Sequence, residues 1–395
     1  MEVLYMKNVL VFSLVVFTLF TTFGFAGFYL NVGSVQIGSD NYLVYEFGPE
    51  FTIGPLTLGL TLTTYATDLT TGQFYFGAPS LEPSSNIVDG INIASLGLDF
   101  GTYWFRYGSM KPLTYGMGFT FNGYSNPQAR VFDTGVRTGA LQASVHLPYE
   151  LVELTTFTYE QSDSLYTAST VLQLAGLDLS LFGGMETYEA PETVSSIPLQ
   201  YAGGVSVTKS ILGFSVGAEL GAQMWKDGTL GYGAFAGIFG DFGIFQLVAG
   251  PYYTLDGFSA WLVDKNYHKV LTSPGFGPEN YPSEIGYIAR IGLTTSSYGK
   301  VVVSLKGNFE GDVLLAGEGQ INIPAIGGTN GLVLYGYLYD STPFENGQFL
   351  DSDSSVRITI AYPAFENFYV GIKYVWNGND NEWLQTAFVG GSTNF

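Results

Sequence analysis

The sequence predicts an all-β protein, a closed antiparallel transmembrane β-barrel of 16 to 20 strands, and three observations carry that prediction. Apolar and polar residues alternate with a period of two along most of the chain. The connections between the alternating segments sort into short and long ones by position. Hydrophobic residues make up 46% of the chain and charged ones only 12%, too oily for a disordered chain and too poor in charge for an ordinary soluble surface.

The amino terminus reads as a secretory leader, 1–26. Met6-Lys7 supplies the charge, Val9 to Phe20 the apolar core, and Gly24-Phe25-Ala26 the small-residue cleavage pattern, which places cleavage after Ala26. An uncleaved helical anchor would need about twenty apolar residues, and Thr18, Thr21, Thr22 and Gly24 interrupt the run. No Cys is present, so disulfides, thiolate metal sites and a lipidated amino terminus are excluded. After the leader no stretch approaches the apolar length of a membrane helix, so 27–395 must enter a membrane, if at all, as strands.

A strand places successive side chains on opposite faces, so a period of two makes one oily face and one wet face. Segments of about ten residues, enough for a tilted strand to cross an outer membrane, fall at 28–37, 41–53, 56–65, 91–100, 102–108, 138–147, 150–160, 165–174, 177–187, 199–209, 213–225, 229–240, 242–254, 285–294, 298–307, 311–323, 331–340, 354–362, 366–376 and 384–395. Val356, Ile358, Ile360 and Tyr362 oppose Ser355, Arg357, Thr359 and Ala361. Phe214, Val216, Ala218 and Leu220 likewise oppose Ser215, Gly217, Glu219 and Gly221. A soluble β-sandwich also alternates, but so many apolar faces would overfill its one shared core.

The connections test this independently. Gly54-Pro55, Gly101, Leu147-Pro148-Tyr149, Ala175-Gly176, Ser210 to Leu212, Gly240-Asp241, Thr295 to Ser297, Pro324 to Asn330 and Pro363 to Glu366 are brief and all fall at even positions. The long ones, 66–90, 109–137, 188–198, 255–284 and 341–353, fall at odd positions. That is the layout of a bacterial barrel, with tight periplasmic turns and long outer loops.

The formal charge is −20 and stays there without the leader, because Lys7 and Glu2 leave together. Nucleic acid is therefore excluded as a partner. Arg290, Arg357, Lys306 and Lys373 sit opposite apolar residues, as do Glu46, Asp178, Glu219 and Glu318. Facing lipid would cost about 2–4 kcal/mol for Arg or Lys at the midplane, so these charges belong in the lumen, wetting the wall or filtering ions. Arg106, Lys111, Arg130 and Arg137, with Asp133 among them, form a local basic concentration.

No cofactor, metal or catalytic chemistry is expected. His146 and His268 are the only imidazoles, the first a lumen residue near a turn, the second beside Asp264 in a loop with no other sign of a helix. Gly231, Gly233 and Gly237 lie in an alternating strand with no helix following, which rules out a phosphate loop. Asp351, Asp353 and Asn377 to Glu382 lack the pattern of a calcium loop.

The chain ends in Phe395, with Thr393, Gly391, Val389 and Ala387 stepping back along one face. In this it resembles bacterial outer-membrane β-barrel proteins, and the resemblance implies that Phe395 is read by the barrel-assembly machinery. Thr102 to Gly108, followed by the connection to Arg137, is similar to the third strand-and-loop unit of general diffusion porins. That resemblance implies that 109–137 folds inward as a constriction loop, with Arg106, Lys111, Arg130, Asp133 and Arg137 at the narrowing, and that the chain forms a homotrimer; the alternative is an exposed surface loop. The resulting expectation is an outer-membrane channel, embedded in outer-membrane lipid, for passive diffusion of small polar solutes and ions. The alternative is a structural or adhesive barrel without transport.

Overall fold

The computed structural model describes residues 24–391 apart from 38–39, 67–73, 78–82, 110–112, 125–129, 152–158, 161–164, 191–194, 265–266, 272–273, 296–297, 312, 325–330, 344–349, 352–353, 366–367 and 378–381. The leader up to Phe23, Lys111 and Phe395 lie outside the described residues. In chain order the strands are β1 (Gly24–Ile37), β2 (Asp40–Ile53), β3 (Leu56–Ala66), β4 (Tyr75–Phe76), β5 (Ile91–Asp99), β6 (Tyr103–Ser109), β7 (Leu113–Thr114), β8 (Phe121–Tyr124), β9 (Arg130–Arg137) and β10 (Leu141–Leu151). Next come β11 (Tyr159–Glu160), β12 (Leu165–Leu174), β13 (Leu177–Glu186), β14 (Leu199–Ile211), β15 (Phe214–Trp225), β16 (Leu230–Phe242), β17 (Phe245–Thr254) and β18 (Val263–Asp264). The last are β19 (Glu284–Thr295), β20 (Gly299–Asn308), β21 (Val313–Ile323), β22 (Leu332–Asp340), β23 (Ser354–Phe365), β24 (Phe368–Asn377) and β25 (Glu382–Gly391).

One 22-stranded sheet holds all but β7, β8 and β18; β4 and β11 are two-residue additions to it, which leaves twenty wall strands. Each wall strand pairs antiparallel with the next in sequence, and β25 comes back beside β1. Nearest-neighbour pairing that brings the two ends of the sheet side by side is the layout of a barrel, the arrangement that lets strands cross a bilayer.

The alternation read from the sequence is the alternation of the wall. Val216, Leu220, Ile358, Ile360, Val370 and Ile372 are among the large apolar residues exposed on the outer face, whereas Glu219 (0% exposed), Thr359 and Ala361 are buried inside. Such a belt of exposed aliphatic side chains around the barrel wall is the surface a lipid bilayer requires.

Three expectations are corrected. The segment 150–160 is not a wall strand: β10 runs unbroken through Leu147, Pro148 and Tyr149, which were expected to turn. Pro148 is tolerated because His146 is the last residue of β10 paired with β12, so the strand there is paired with β9 alone and a missing amide donor costs little. Second, the carboxyl-terminal part of 109–137 is a wall strand, β9, which leaves 110–129 as the loop. Its inward charges Asp133 and Arg137 made it read as loop, although a strand facing water carries them without cost. Third, His146 lies well along β10 from the real turn at 138–140, and His268 sits in a short helix, α1 (Tyr267–Leu271), where none was expected.

With these corrections the sorting of connections sharpens. Every even-numbered connection between wall strands has two or three residues except 324–331, while 67–90, 110–129, 152–164, 187–198, 255–283 and 341–353 are all odd. Tight turns such as Ala175-Gly176 and Leu212-Gly213, with positive φ at both residues, fit the twist of a hairpin.

Candidate functional site

Two of the long connections turn into the barrel. In 110–129, β7 and β8 form a small hairpin, and β8 pairs in parallel with β18 from 255–283, so the two loops share a three-stranded sheet. Gly116 (φ +57°) and Gly118 (φ +80°) permit the tight tip, where the Gly118 N–H donates to Tyr115 O at 2.9 Å.

The tip is hung on Glu219 of β15. The backbone N–H groups of Met117, Phe119 and Thr120 donate to its carboxylate at 2.6, 3.3 and 2.9 Å. A carboxylate fully removed from solvent is tolerable only when donors of this kind surround it, and donors aimed at an ionised acceptor make the stronger hydrogen bonds. Four residues further along the same inward face, Gln223 clamps the second loop: its Nε2 donates to Ser259 O at 2.9 Å and its Oε1 accepts from Ser259 N–H at 2.8 Å. Trp225, the next inward residue, donates from Nε1 to Gly257 O at 2.6 Å. One strand face therefore anchors both loops, and of its three anchors the sequence reading singled out only Glu219.

Packing seats what these bonds hold. Gly204, Gly221 and Gly233 are direct neighbours across β14, β15 and β16, all facing inward. A Cβ on Gly221 would stand 2.8 Å from Phe258, one on Gly233 2.8 Å from Phe119, and one on Gly204 2.9 Å from Phe182. The row forms a slot for aromatic rings, which explains Gly233 of the glycine cluster better than any nucleotide. Phe119 stacks on Phe258 at 5.2 Å and on Phe235 at 5.8 Å, with Trp261 edge-on at 5.2 Å. Trp261 has φ +60°, unusual for a bulky residue, and donates its N–H to Phe119 O at 2.7 Å, tying one loop to the other.

The remaining predicted residues are wall residues. Arg106 and Asp133 face each other across β6 and β9; Trp104 Nε1 donates to Asp133 at 3.2 Å, and the Arg137 guanidinium lies 4.6 Å from the Trp104 ring. Arg130 opens β9, its side chain outside the described residues. Arg106 and Arg137 thus belong to the wall, not to the inward loop. Arg290, Lys306, Arg357 and Lys373 stand on the inner face of β19, β20, β23 and β24, with Lys300, absent from the sequence reading, on the same face. Arg357 is flanked by the rings of Tyr335 and Tyr337, each 5.6 Å away. Lys306 lies 5.4 Å from the Tyr252 ring and 5.5 Å from Trp261, and pairs with Glu284 at 3.5 Å. Asp264 of the second loop and Glu318 are the charged neighbours of Arg290.

Among the described residues no cluster of His, Asp and Glu is arranged to hold a metal ion. No protein-family model matches the chain, and no curated protein matches it. Solved structures similar to it are bacterial porins and channels. A mutant of Rh. blastica porin is 10% identical, with 92% of this chain and 96% of that chain covered, at a TM-score of 0.30. Pseudomonas aeruginosa OccK2 (OpdF) is 12% identical, with 92% of each chain covered, at 0.36. Pseudomonas aeruginosa OpdQ is 11% identical, again with 92% of each covered, at 0.39. The fold itself rests on the strand order and the apolar belt described above.

Proposed function

We propose that the chain is an outer-membrane channel through which small polar solutes and ions diffuse passively, narrowed by 110–129 together with 255–283. The carrying observation is the one-sided anchoring of both loops by Glu219, Gln223 and Trp225 of β15. Loops fixed to one wall narrow a barrel of this width without filling it, since sixteen or more strands are wide enough for an aqueous channel. The path runs along the opposite wall, past Arg290, Lys306, Arg357 and Lys373. These cations, interleaved with Glu284 and Glu318, favour anions at the narrowing, although the whole chain carries −20.

The mature chain, cleaved after Ala26 and refolded, will show stepwise conductance in planar bilayers, and its reversal potential in a salt gradient will report a weak anion preference. A barrel that never conducts returns the structural or adhesive reading. A cation preference would put control of selectivity at the acidic mouths instead. Trimer formation and recognition of Phe395 by the assembly machinery follow from the family resemblance, and cross-linking of the folded protein and truncation of Phe395 test them.

A further inference from the structure

Below the inward hairpin, toward the short-turn end, the wall strands β6 to β16 enclose a recess of about 500 Å³, the size range of small-molecule sites. Leu113 to Gly116 form its roof, and nothing in the channel reading uses it. Its lining is dominated by uncharged hydrogen-bonding groups, among them Gln142, Ser144, Ser169, Ser180, Thr208 and Ser215. Asp133, Asp178 and Arg137 are its charged members, and the rings of Phe182 and Phe239 supply apolar faces. His146 also lines it; its side chain is 5% exposed and its Nε2 has no hydrogen-bond partner among the described residues. A buried ring nitrogen without a partner marks a place where a further donor or acceptor fits.

We propose that this recess binds a neutral polyhydroxylated solute, a sugar of one or two rings, during its passage. The inference rests on the channel reading for access and deepens it by naming a solute class. Carboxylates, hydroxyls and an amide can exchange several hydrogen bonds with sugar hydroxyls, and aromatic faces cover the C–H side of the ring. An anion fits poorly, because two carboxylates face one guanidinium and that guanidinium is already placed over Trp104. An apolar ligand would strip water from the lining hydroxyls and the Asp178 carboxylate without replacing its hydrogen bonds. Because Leu113 to Gly116 roof the recess, an occupied site also braces the hairpin that narrows the path.

Titration calorimetry on the folded full-length barrel in detergent, with glucose, maltose, alanine and acetate as probes, tests this separately from transport. Glucose or maltose binds in the millimolar range, and Asp178→Asn and His146→Ala each weaken binding by roughly tenfold. Asp227→Asn, in the exposed β15–β16 turn, leaves binding unchanged. Tighter binding of alanine or acetate than of either sugar overturns the assignment, as does sugar binding insensitive to both recess variants. No sugar binding by a barrel that conducts removes the recess and leaves the channel. Sugar binding by a barrel that never conducts sustains the recess and removes the channel.

Discussion

The two sides of the barrel interior are built from the same kind of strand and put to opposite use. On β13 to β16 the inward positions are glycines and buried polar anchors, and the space beside them is filled by aromatic side chains from two loops. On β22 to β24 the inward positions are long cations and tyrosines over which neither inward loop packs among the described residues, and the border lies at β20, where Lys306 stands against Trp261 of the second loop. Small residues on one wall admit the loops; large charged ones on the other keep water against the wall. The difference teaches that the width of the path is set by residues that never touch it, while its charge is set by residues far from the loops' anchors.

The largest break in that contrast comes from Glu219→Ala, which leaves the N–H groups of Met117, Phe119 and Thr120 without their acceptor in a buried site. It should cost about 3 kcal/mol or more, read as a lower urea midpoint in detergent, and should raise channel conductance as the hairpin leaves the wall. Gly221→Val comes next: its side chain meets Phe258 and Thr120, an overpacking worth about 1–3 kcal/mol that the same unfolding experiment measures. On the facing wall, Arg357→Ser should leave stability nearly unchanged and move the reversal potential toward cations, which sharpens the division of labour between the sides.

The smallest effect concerns pH. Hydrogen bonds from the Ser283 hydroxyl and N–H hold the exposed Asp256 carboxyl below the ordinary carboxylate range. A carboxyl lowered in the folded state stabilises above its ordinary range, and that contribution is lost as pH falls through the lowered value. Proteolysis of the 255–283 loop should therefore quicken only in strongly acidic buffer, and Ser283→Ala should flatten that dependence.

The barrel was legible because its two faces meet different solvents, so alternation at Val356 to Tyr362 or Phe214 to Gly221 could only mean a wall. Loop parity survived even where two segments were misplaced, since dropping 150–160 and gaining β9 leaves the order intact. β9 was illegible because Asp133 and Arg137 are polar by virtue of facing the lumen, leaving only Phe132, Thr134 and Val136 to mark its outer face. The glycine slot and the Gln223 and Trp225 anchors were illegible for another reason. A glycine in a strand looks the same whether it faces lipid or receives Phe258, and only the three-dimensional partner distinguishes them. Phe258, Trp261, Tyr267 and Phe276, too apolar for a solvated loop, were the signal that 255–283 turns inward.

The most direct test of the account is the single-channel conductance of the refolded barrel with 113–124 replaced by a short Gly-Ser linker, compared with the intact chain. Stepwise openings are expected in both, with a several-fold larger conductance without the hairpin, because the β19 to β24 wall remains to line the path. Equal conductance in the two proteins, or no conductance in either, would contradict it.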